Sequence, residues 1–251
     1  MSDTIEAAAI VTGHSRGIGA AVASGLLARG VRVLGVSRHG NPELVRRFPG
    51  AVREAAVDLG DPVAITDWIA SGALRRAVGD GERAVLVNNA GVIQPIGPLE
   101  AQEPALVGRA VTVNVAAAFM LSAAFIQATP ALADRRILHV SSGAGRKSYA
   151  GWSIYCATKA ALDHHARCAA LDSTPGLRIA SVAPGVVDTE MQAEIRASTN
   201  ERFPDRPRFV AMHDDHALPS PERTGGKLVE YLLSEVFGAE PVFELRDFVP
   251  A

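Results

Sequence analysis

Two residues that together could move a proton lie four positions apart in the run SIYCATKAALDHH. They are Tyr155 and Lys159. On an α-helix, residues four apart lie one above the other on the same face. A tyrosine phenol has an ordinary pKa of about 10, and an ammonium group beside it stabilises the phenolate and lowers that pKa. The spacing therefore predicts a tyrosine that exchanges a proton with a substrate.

The spacing alone does not exclude that Tyr155 and Lys159 lie four positions apart by chance. The chain holds three tyrosines and three lysines, so chance rarely supplies such a pair. The reversed pair Lys227 and Tyr231 nevertheless occurs, and we assign it no function. The position of Tyr155 and Lys159 among other motifs must decide between the two interpretations.

A glycine-rich turn near the amino terminus could hold phosphate. The run VTGHSRGIG places Gly13, Gly17 and Gly19 between a predicted strand and a predicted helix. Backbone N–H groups and the helix dipole at such a helix start suit a pyrophosphate. The spacing is not the general G-x-G-x-x-G pattern, so a turn that merely requires glycine remains the alternative.

The end of the second predicted strand, in the run GVSRHG, favours one of the two nicotinamide dinucleotides. Ser37 and Arg38 stand where a carboxylate usually binds the adenosine ribose. Arg38, with Arg16 from the glycine-rich turn, could hold a 2′-phosphate, which a carboxylate would repel. The pattern favours NADP(H) over NAD(H), although a solvated surface arginine is the simpler alternative.

Strand and helix patterns alternate along the chain. Short apolar, β-branched runs predict seven strands at residues 7–11, 31–36, 51–57, 83–88, 136–141, 177–184 and 241–245. The intervening patterns predict helices at residues 17–29, 42–48, 61–77, 103–128, 152–171 and 221–237. Such alternation is typical of an α/β protein with a doubly wound, Rossmann-type parallel sheet and helices on both faces. We expect one domain, 1–251, with a lid or irregular insertion at about residues 191–221.

Composition restricts the partners. The net charge is −2 and the basic residues are scattered, so we expect no nucleic-acid partner. Polar residues interrupt the most apolar window, 110–128, which favours a buried helix over a membrane span, and no basic region precedes the first apolar run as a signal peptide requires. Cys156 and Cys168 lie roughly 18 Å apart on one predicted helix, too far for a disulfide. We therefore expect a reduced, cytoplasmic protein without a membrane partner.

Four further motifs follow the glycine-rich turn in a fixed order. They are NNAG at residues 88–91, Asn114 in VTVNVAAAF, VSSGAG at 140–145, and the pair Pro184 and Gly185. With the glycine-rich turn and the Tyr155 and Lys159 pair, this ordered set resembles the short-chain dehydrogenase/reductase family over nearly the whole chain. The resemblance implies an NADP(H)-dependent oxidoreductase.

The resemblance also implies four catalytic residues. Ser142 lies 13 residues before Tyr155, the spacing of the family's catalytic serine. Tyr155 would protonate the carbonyl oxygen of a substrate as hydride arrives from the reduced nicotinamide, and Ser142 would hydrogen-bond the same oxygen. Lys159 would also hold the nicotinamide ribose, and Asn114 a water that connects Lys159 to solvent.

The resemblance assigns the remaining cofactor contacts in four groups. Those to the phosphates and ribose are Thr12, Gly13, Arg16, Gly17, Ile18 and Gly19. Those at the adenine edge are Asp58 and Leu59, beside Ser37 and Arg38. The floor beneath the cofactor is assigned to Asn88, Ala90 and Gly91, and the nicotinamide to Pro184, Gly185, Val187 and Thr189.

Two short segments indicate a branch of the family. They are PGVVDTEMQ at residues 184–192 and VFELRDF at 242–248, which are most similar to the sepiapterin reductase and benzil reductase branch. The resemblance thus implies an NADPH-dependent carbonyl reductase acting on a ketone or diketone. The alternatives are a 3-oxoacyl reductase or alcohol dehydrogenase of the same family, or an NADP(H)-binding sensor without turnover.

We expect an apolar substrate pocket. Its predicted residues are Ile93, Ile96, Tyr149, Trp152 and Val186, with the segment after Met191. A small, apolar carbonyl compound suits such a pocket.

Two helical runs, 115–125 and 157–170, are apolar around much of their circumference, which together with the resemblance predicts a homodimer or homotetramer. The run HDDH at 213–216 contains metal-binding residue types, but neighbouring loop residues rarely converge on one ion. We therefore predict no metal site.

Overall fold

Seven parallel strands form the centre of the protein, whose computed structural model describes residues 7–78, 81–130 and 132–250. The strands are β1 Ala7–Thr12, β2 Arg32–Ser37, β3 Val52–Ala56, β4 Arg83–Asn88, β5 Asp134–Val140, β6 Leu177–Ala183 and β7 Val242–Glu244. Their order in the sheet is β3-β2-β1-β4-β5-β6-β7. From β1 the chain runs outward to β3 and then crosses back to β4, so the strand order reverses between β1 and β4. The predicted doubly wound, Rossmann-type fold is confirmed.

Ten α-helices, within the described residues, surround the sheet. They are α1 Gly17–Leu27, α2 Pro42–Arg47, α3 Pro62–Ala70, α4 Ala73–Val78, α5 Pro104–Val111, α6 Ala117–Ala128, α7 Ser153–Leu171, α8 Glu190–Ala197, α9 Arg206–Asp214 and α10 Pro221–Leu233. In an open parallel sheet of this kind, ligands bind beyond the carboxyl ends of the strands near the reversal point. The fold therefore directs attention to the loops after β1, β4 and β5.

The side chains of each strand alternate between two hydrophobic cores. On one face, Val85 and Val87 of β4 belong to a core that includes α1 and α10. On the other face, Leu86 between them belongs to a core that includes Leu121 and Phe125 of α6. Because successive residues of a strand point to opposite faces, a continuous apolar run such as AVLV fits a strand covered by helices on both sides.

The run Pro104–Ala128 is interrupted by a π-helical turn. Residues Thr112–Ala116 have π-helical hydrogen bonding and join α5 to α6 without a break. Within the described residues, this run alone has the length and apolar composition of a membrane span, and 44% of its apolar 18-residue window is buried in the fold. Asn114 lies inside the π-helical turn.

Three predicted elements differ from the structure. The single helix predicted at 61–77 is two helices, because Gly72 has a φ of +72° and turns the chain between α3 and α4. The segment predicted as a lid or irregular insertion at 191–221 is largely helical, since it forms most of α8 and all of α9. The helix predicted at 221–237 ends at Leu233. The prediction on a signal peptide falls in part on residues 1–6, which lie outside the described residues.

Candidate active site

Tyr155 and Lys159 lie on consecutive turns at the start of α7. Both are buried, with exposed fractions of 8% and 4%. The Lys159 Nζ atom lies 5.6 Å from the centre of the Tyr155 ring and donates a hydrogen bond to the Val140 carbonyl oxygen at 2.8 Å. The helix thus brings the phenol and the ammonium to one face, at the carboxyl end of β5.

Burial shifts the pKa of both groups. It raises the pKa of Tyr155 to about 12, although a hydrogen bond from Ser142 acts in the opposite direction. It lowers the pKa of Lys159 to about 8, and the negative charge of Asp163 opposes that shift. The expected net lowering of the Tyr155 pKa is wrong for this structure, because loss of hydration at the phenol outweighs the groups that favour the phenolate. The phenol is therefore a proton donor at neutral pH.

Ser142 begins the 3₁₀ turn Gly143–Gly145 that follows β5. Its Oγ atom accepts a hydrogen bond from the Ala144 N–H at 3.1 Å, which fixes the side chain at the start of the turn. The structure brings it within hydrogen-bonding reach of Tyr155. A substrate oxygen placed between these two hydroxyls would receive two hydrogen bonds.

Asn114 supports the site from below. Its side-chain amide accepts from the Val92 N–H at 2.8 Å and donates to the Val92 carbonyl oxygen at 2.9 Å. The amide nitrogen also donates to the Thr158 hydroxyl of α7 at 3.1 Å. A Cβ atom at Gly91 would lie 3.4 Å from Asn114 and 3.6 Å from the Lys159 Nζ atom. Asn114 therefore joins the segment after β4 to α7 beside Lys159, and its role in a water relay stays a prediction.

The glycine-rich turn has the backbone that a phosphate-binding turn requires. Gly13 and Gly17 have φ values of +67° and +56°, in the left-handed region that favours glycine. A Cβ atom at Gly19 would lie 2.1 Å from the Gly13 carbonyl oxygen, so any other residue would push the turn apart. Arg16 precedes α1 and no side chain caps the first turn of the helix. The first N–H groups of α1 can therefore bind an anion.

A cleft of about 890 Å³ runs from this turn to Tyr155. Three catalytic candidates line it, Ser142, Tyr155 and Lys159. The predicted cofactor residues that line it are Gly13, Arg16, Gly17, Ile18, Gly19, Ser37, Arg38, Asp58, Leu59, Ala90, Gly91, Pro184, Gly185, Val187 and Thr189. One cleft thus contains most of the predicted site.

Thr12 and Asn88 do not line the cleft, because both are buried in the sheet. The Thr12 hydroxyl donates to the Val87 carbonyl oxygen and accepts from the N–H groups of Asn89 and Ala90, at 2.9 and 3.0 Å. The Asn88 amide nitrogen hydrogen-bonds to the Ser122 hydroxyl and to His139 Nδ1, both at 3.1 Å. These residues fasten the ends of the strands beneath the cleft, and Asn89 lines it instead.

The end of the cleft at Ser37 and Arg38, where the adenine is predicted to lie and which we call the adenine end, holds three arginines, Arg16, Arg38 and Arg109. Arg109 pairs with Asp58, with an N–O distance of 3.1 Å, and Arg16 pairs with Glu190 at the start of α8. The N–H of Gly60 and the two cations Arg109 and Arg38 lower the pKa of Asp58. Sequence analysis missed Arg109, because it is distant in sequence from every phosphate-binding motif.

His14 supports Ser37 from the interior. It is 1% exposed, its Nε2 atom lies 2.7 Å from a Glu54 oxygen, and its Nδ1 atom lies 3.2 Å from the Ser37 hydroxyl. Gly35 makes room for the ring, since a Cβ atom there would lie 2.3 Å from it. This support was missed, although the histidine lies within the glycine-rich motif itself.

The opposite end of the cleft is aromatic. Trp152 stacks on Phe203 with ring centres 4.2 Å apart, and Tyr149 and Phe209 pack against it at 5.2 and 5.3 Å. Ile93, Tyr149, Trp152 and Val186 line the cleft as predicted, whereas Ile96 lies in the hydrophobic core beneath. Phe203 and Phe209 come from the segment after Met191 and were not named from the sequence. This end of the cleft thus presents the aromatic faces of Tyr149, Trp152 and Phe209, with Lys147 beside the Tyr149 ring.

Met191 contacts the hydroxyl of Tyr155. It belongs to α8, and its Sδ atom accepts a hydrogen bond from the Tyr155 hydroxyl at 3.9 Å. Elsewhere in the described part of the chain, no group of three or more His, Cys, Asp or Glu side chains could hold a metal ion.

Comparison with known proteins places this site in a family. The model of the short chain dehydrogenase family matches residues 7–200. The chain belongs to the short-chain dehydrogenase/reductase family. Proteins of this family bind a nicotinamide cofactor, and the glycine-rich turn and the cleft fit one.

The similar proteins agree with the predicted branch. A benzil reductase that forms (S)-benzoin, from Bacillus cereus, is 33% identical over 95% of this chain and 98% of its own. A sepiapterin reductase from Xenopus tropicalis is 32% identical over 80% of this chain and 81% of its own. A crystal structure of a short-chain dehydrogenase/reductase from Burkholderia vietnamiensis has 48% identity and a TM-score of 0.71, covering 98% of this chain and all of that one. The family and the branch predicted from sequence are confirmed.

Proposed function

We propose that this oxidoreductase is an NADPH-dependent carbonyl reductase that transfers hydride to an aromatic ketone or diketone. The observation that carries the proposal is the position of Ser142 and Tyr155 in one continuous cleft, between a glycine-rich end and an aromatic end. A dinucleotide bound along the glycine-rich end would present its nicotinamide near Tyr155. An aromatic carbonyl compound would fill the end formed by Trp152 and Tyr149.

Each residue contributes one step. The cofactor supplies the hydride when bound. The two hydroxyls, of Ser142 and Tyr155, hold the carbonyl oxygen, and Tyr155 donates its proton to that oxygen as negative charge develops there. Lys159, whose ammonium lies on the same face of α7, stabilises the phenolate that remains.

We propose NADPH rather than NADH as the cofactor because of the charged residues at the adenine end of the cleft. Ser37 ends β2, Arg38 follows it, and both line the cleft. The carboxylates nearby are already paired, Asp58 with Arg109 and Glu190 with Arg16. A 2′-phosphate at Arg38 would meet a cation rather than a free carboxylate. The relatives named benzil reductase and sepiapterin reductase support the choice of ketones and diketones as substrates.

The test is reduction of a substrate panel. Purified protein is mixed with NADPH or NADH and with benzil, simple ketones or sepiapterin, and the loss of reduced-nicotinamide absorbance is followed. We expect benzil to be reduced, more rapidly with NADPH. Tyr155→Phe removes the proton donor and should abolish turnover, whereas Tyr231→Phe, at a buried tyrosine outside the cleft, should retain it.

If sepiapterin or 3-oxoacyl compounds were the substrates of choice, the aromatic diketone would be the wrong class. If NADPH bound but no carbonyl compound in the panel were reduced, the sensor hypothesis would replace the reductase.

We also propose that the protein is a cytoplasmic homodimer or homotetramer assembled through α6 and α7. Phe119 of α6 stacks on His165 of α7 with ring centres 4.3 Å apart and remains partly exposed at the outer surface of these helices. The free thiols Cys156 and Cys168 suit a reducing compartment. Light scattering after size exclusion should give a mass of two or four chains, and a mass of one chain would contradict the assembly.

A further inference from the structure

Asp163 is a buried carboxylate one helical turn after Lys159. Its exposed fraction is 1%, and it faces the carboxyl ends of β5 and β6. A buried carboxylate is stable only when hydrogen bonds or cations compensate its charge. The partners of Asp163 therefore indicate what the fold uses it for.

Three side chains donate to it. The hydroxyls of Ser141 and Ser181 both lie 2.7 Å from Oδ1, and the Arg146 Nε atom lies 3.0 Å from Oδ2. Arg146 is held from its other side by Glu244 of β7. One carboxylate thus connects α7 to two strands and to the turn after β5.

These contacts fix the catalytic serine. Ser141 directly precedes Ser142, and the turn that follows packs closely on α7. A Cβ atom at Gly145 would lie 3.0 Å from Asp163 Oδ2 and 3.0 Å from the Lys159 backbone. Asp163 therefore holds the turn against the same helix that carries Tyr155.

The charge of Asp163 also acts on Lys159. Burial lowers the pKa of Lys159 to about 8, and Asp163 is the charge that raises it. The charged and titratable groups around the pair are Tyr155 on α7, His139 on β5, His165 behind His139, Arg146 in the turn, and Glu244 on β7. His139 is neutral at working pH, because burial lowers its pKa to about 3.

We propose that Asp163 is a positioning residue of the active site: its buried carboxylate fastens the turn that carries Ser142 to α7 and places a negative charge one helical turn from Lys159. The inference rests on the proposed reductase function for its effect on turnover. Its effect on Lys159 can be measured without turnover.

The chain contains three lysines, Lys147, Lys159 and Lys227, so lysine-selective carbon-13 NMR gives few side-chain signals. Lys147→Arg and Lys227→Arg assign them. In Asp163→Asn we expect the Lys159 signal to titrate at lower pH than in the wild type. If the substitution only loosened the packing of the site, water would reach Lys159 and its titration midpoint would move to higher pH.

Ser181→Ala is the matched control, because it removes one hydrogen bond to the carboxylate but leaves its charge. We expect it to leave the Lys159 midpoint in place. Where turnover is measured, Asp163→Asn should lower kcat about tenfold at pH 8, where deprotonated Lys159 prevails, and less at pH 6.5.

The asparagine N–H of the single variant would face the Arg146 N–H, so the variant could fail to fold. The double variant Asp163→Asn/Arg146→Gln supplies an acceptor there and carries the same prediction. An unchanged or raised midpoint in a folded variant, or failure of both variants to fold, would assign Asp163 to stability alone and overturn the proposal. A lowered midpoint without any carbonyl turnover in the wild type would support the positioning role and reject only the reductase function.

Discussion

Arg38 gives the sharpest test of the cofactor. It is exposed at the cleft and forms no ion pair with any residue in the described ranges, whereas Arg16 pairs with Glu190 and Arg109 with Asp58. Of the three arginines at the adenine end, Arg38 therefore has the charge that is least neutralised. A 2′-phosphate would interact most strongly with this side chain.

The magnitude follows from these pairings. A hydrogen bond between charged groups contributes about 2 kcal/mol, which corresponds to about a 30-fold change in kcat/KM. Arg38→Leu should lower kcat/KM for NADPH by that factor. Arg16→Leu should lower it only about threefold, because an exposed side chain already shared with Glu190 contributes less than about 1 kcal/mol.

The assay compares the two dinucleotides on each variant at low salt. NADH lacks the 2′-phosphate, so its kcat/KM should change less than about twofold in Arg38→Leu. Arg46→Leu, at an exposed arginine of α2 outside the cleft, is the control and should alter neither dinucleotide. Equal losses with NADPH and NADH, or no loss with NADPH, would refute the assignment of Arg38 to the 2′-phosphate.

Three further predictions concern ionisation and packing. Turnover should fall as the pH rises through about 8, because Lys159 loses its ammonium there, and a pH–rate profile that stays flat to pH 10 would contradict this. Because burial lowers the pKa of His139 to about 3, the folded state resists a proton that the unfolded state takes up below about pH 6.5. Stability should therefore be lost as the pH falls from 6.5 towards 3, and chemical denaturation should show a weaker loss in His139→Gln. Gly35→Ala should cost about 2 kcal/mol, since its Cβ atom would lie 2.3 Å from the His14 ring, and the melting temperature should drop by about 6 °C. Gly108→Ala, where the added atom has no neighbour within 4 Å, should leave the melting temperature unchanged or slightly raised.

Local sequence patterns were sufficient to predict the strands of the sheet. The strand predicted at 83–88 is β4, residue for residue, because a β-branched run between polar residues has few alternatives in an α/β chain. The π-helical turn Thr112–Ala116 could not be predicted, since one extra residue in a helical turn leaves the apolar pattern almost unchanged. The break at Gly72 could have been, because a glycine inside a helical pattern weakens it.

The candidate site also has features that local sequence motifs predict and features that depend on tertiary packing. The glycine-rich turn and the pair of Tyr155 and Lys159 could be located from the sequence, because the residues within each motif lie only a few positions apart. The ion pair between Arg109 and Asp58 joins positions 51 residues apart and depends on the packing of α5 against the loop after β3. The raised pKa of Tyr155 likewise follows from burial, which no spacing of residues reveals.

The contact between Met191 and Tyr155 has a kinetic consequence. A carbonyl oxygen that accepts the phenol proton must approach to about 3 Å, and the sulfur of α8 lies on the same hydroxyl at 3.9 Å. The substrate oxygen and the Met191 thioether therefore compete for the proton of the Tyr155 hydroxyl. A substrate that binds to this hydroxyl must first displace the Met191 sulfur. The measured affinity for a ketone is its intrinsic affinity multiplied by the fraction of molecules in which Met191 has left the hydroxyl. In the proposed reaction, displacement of the Met191 side chain therefore precedes proton donation by Tyr155, and its rate sets an upper limit on turnover.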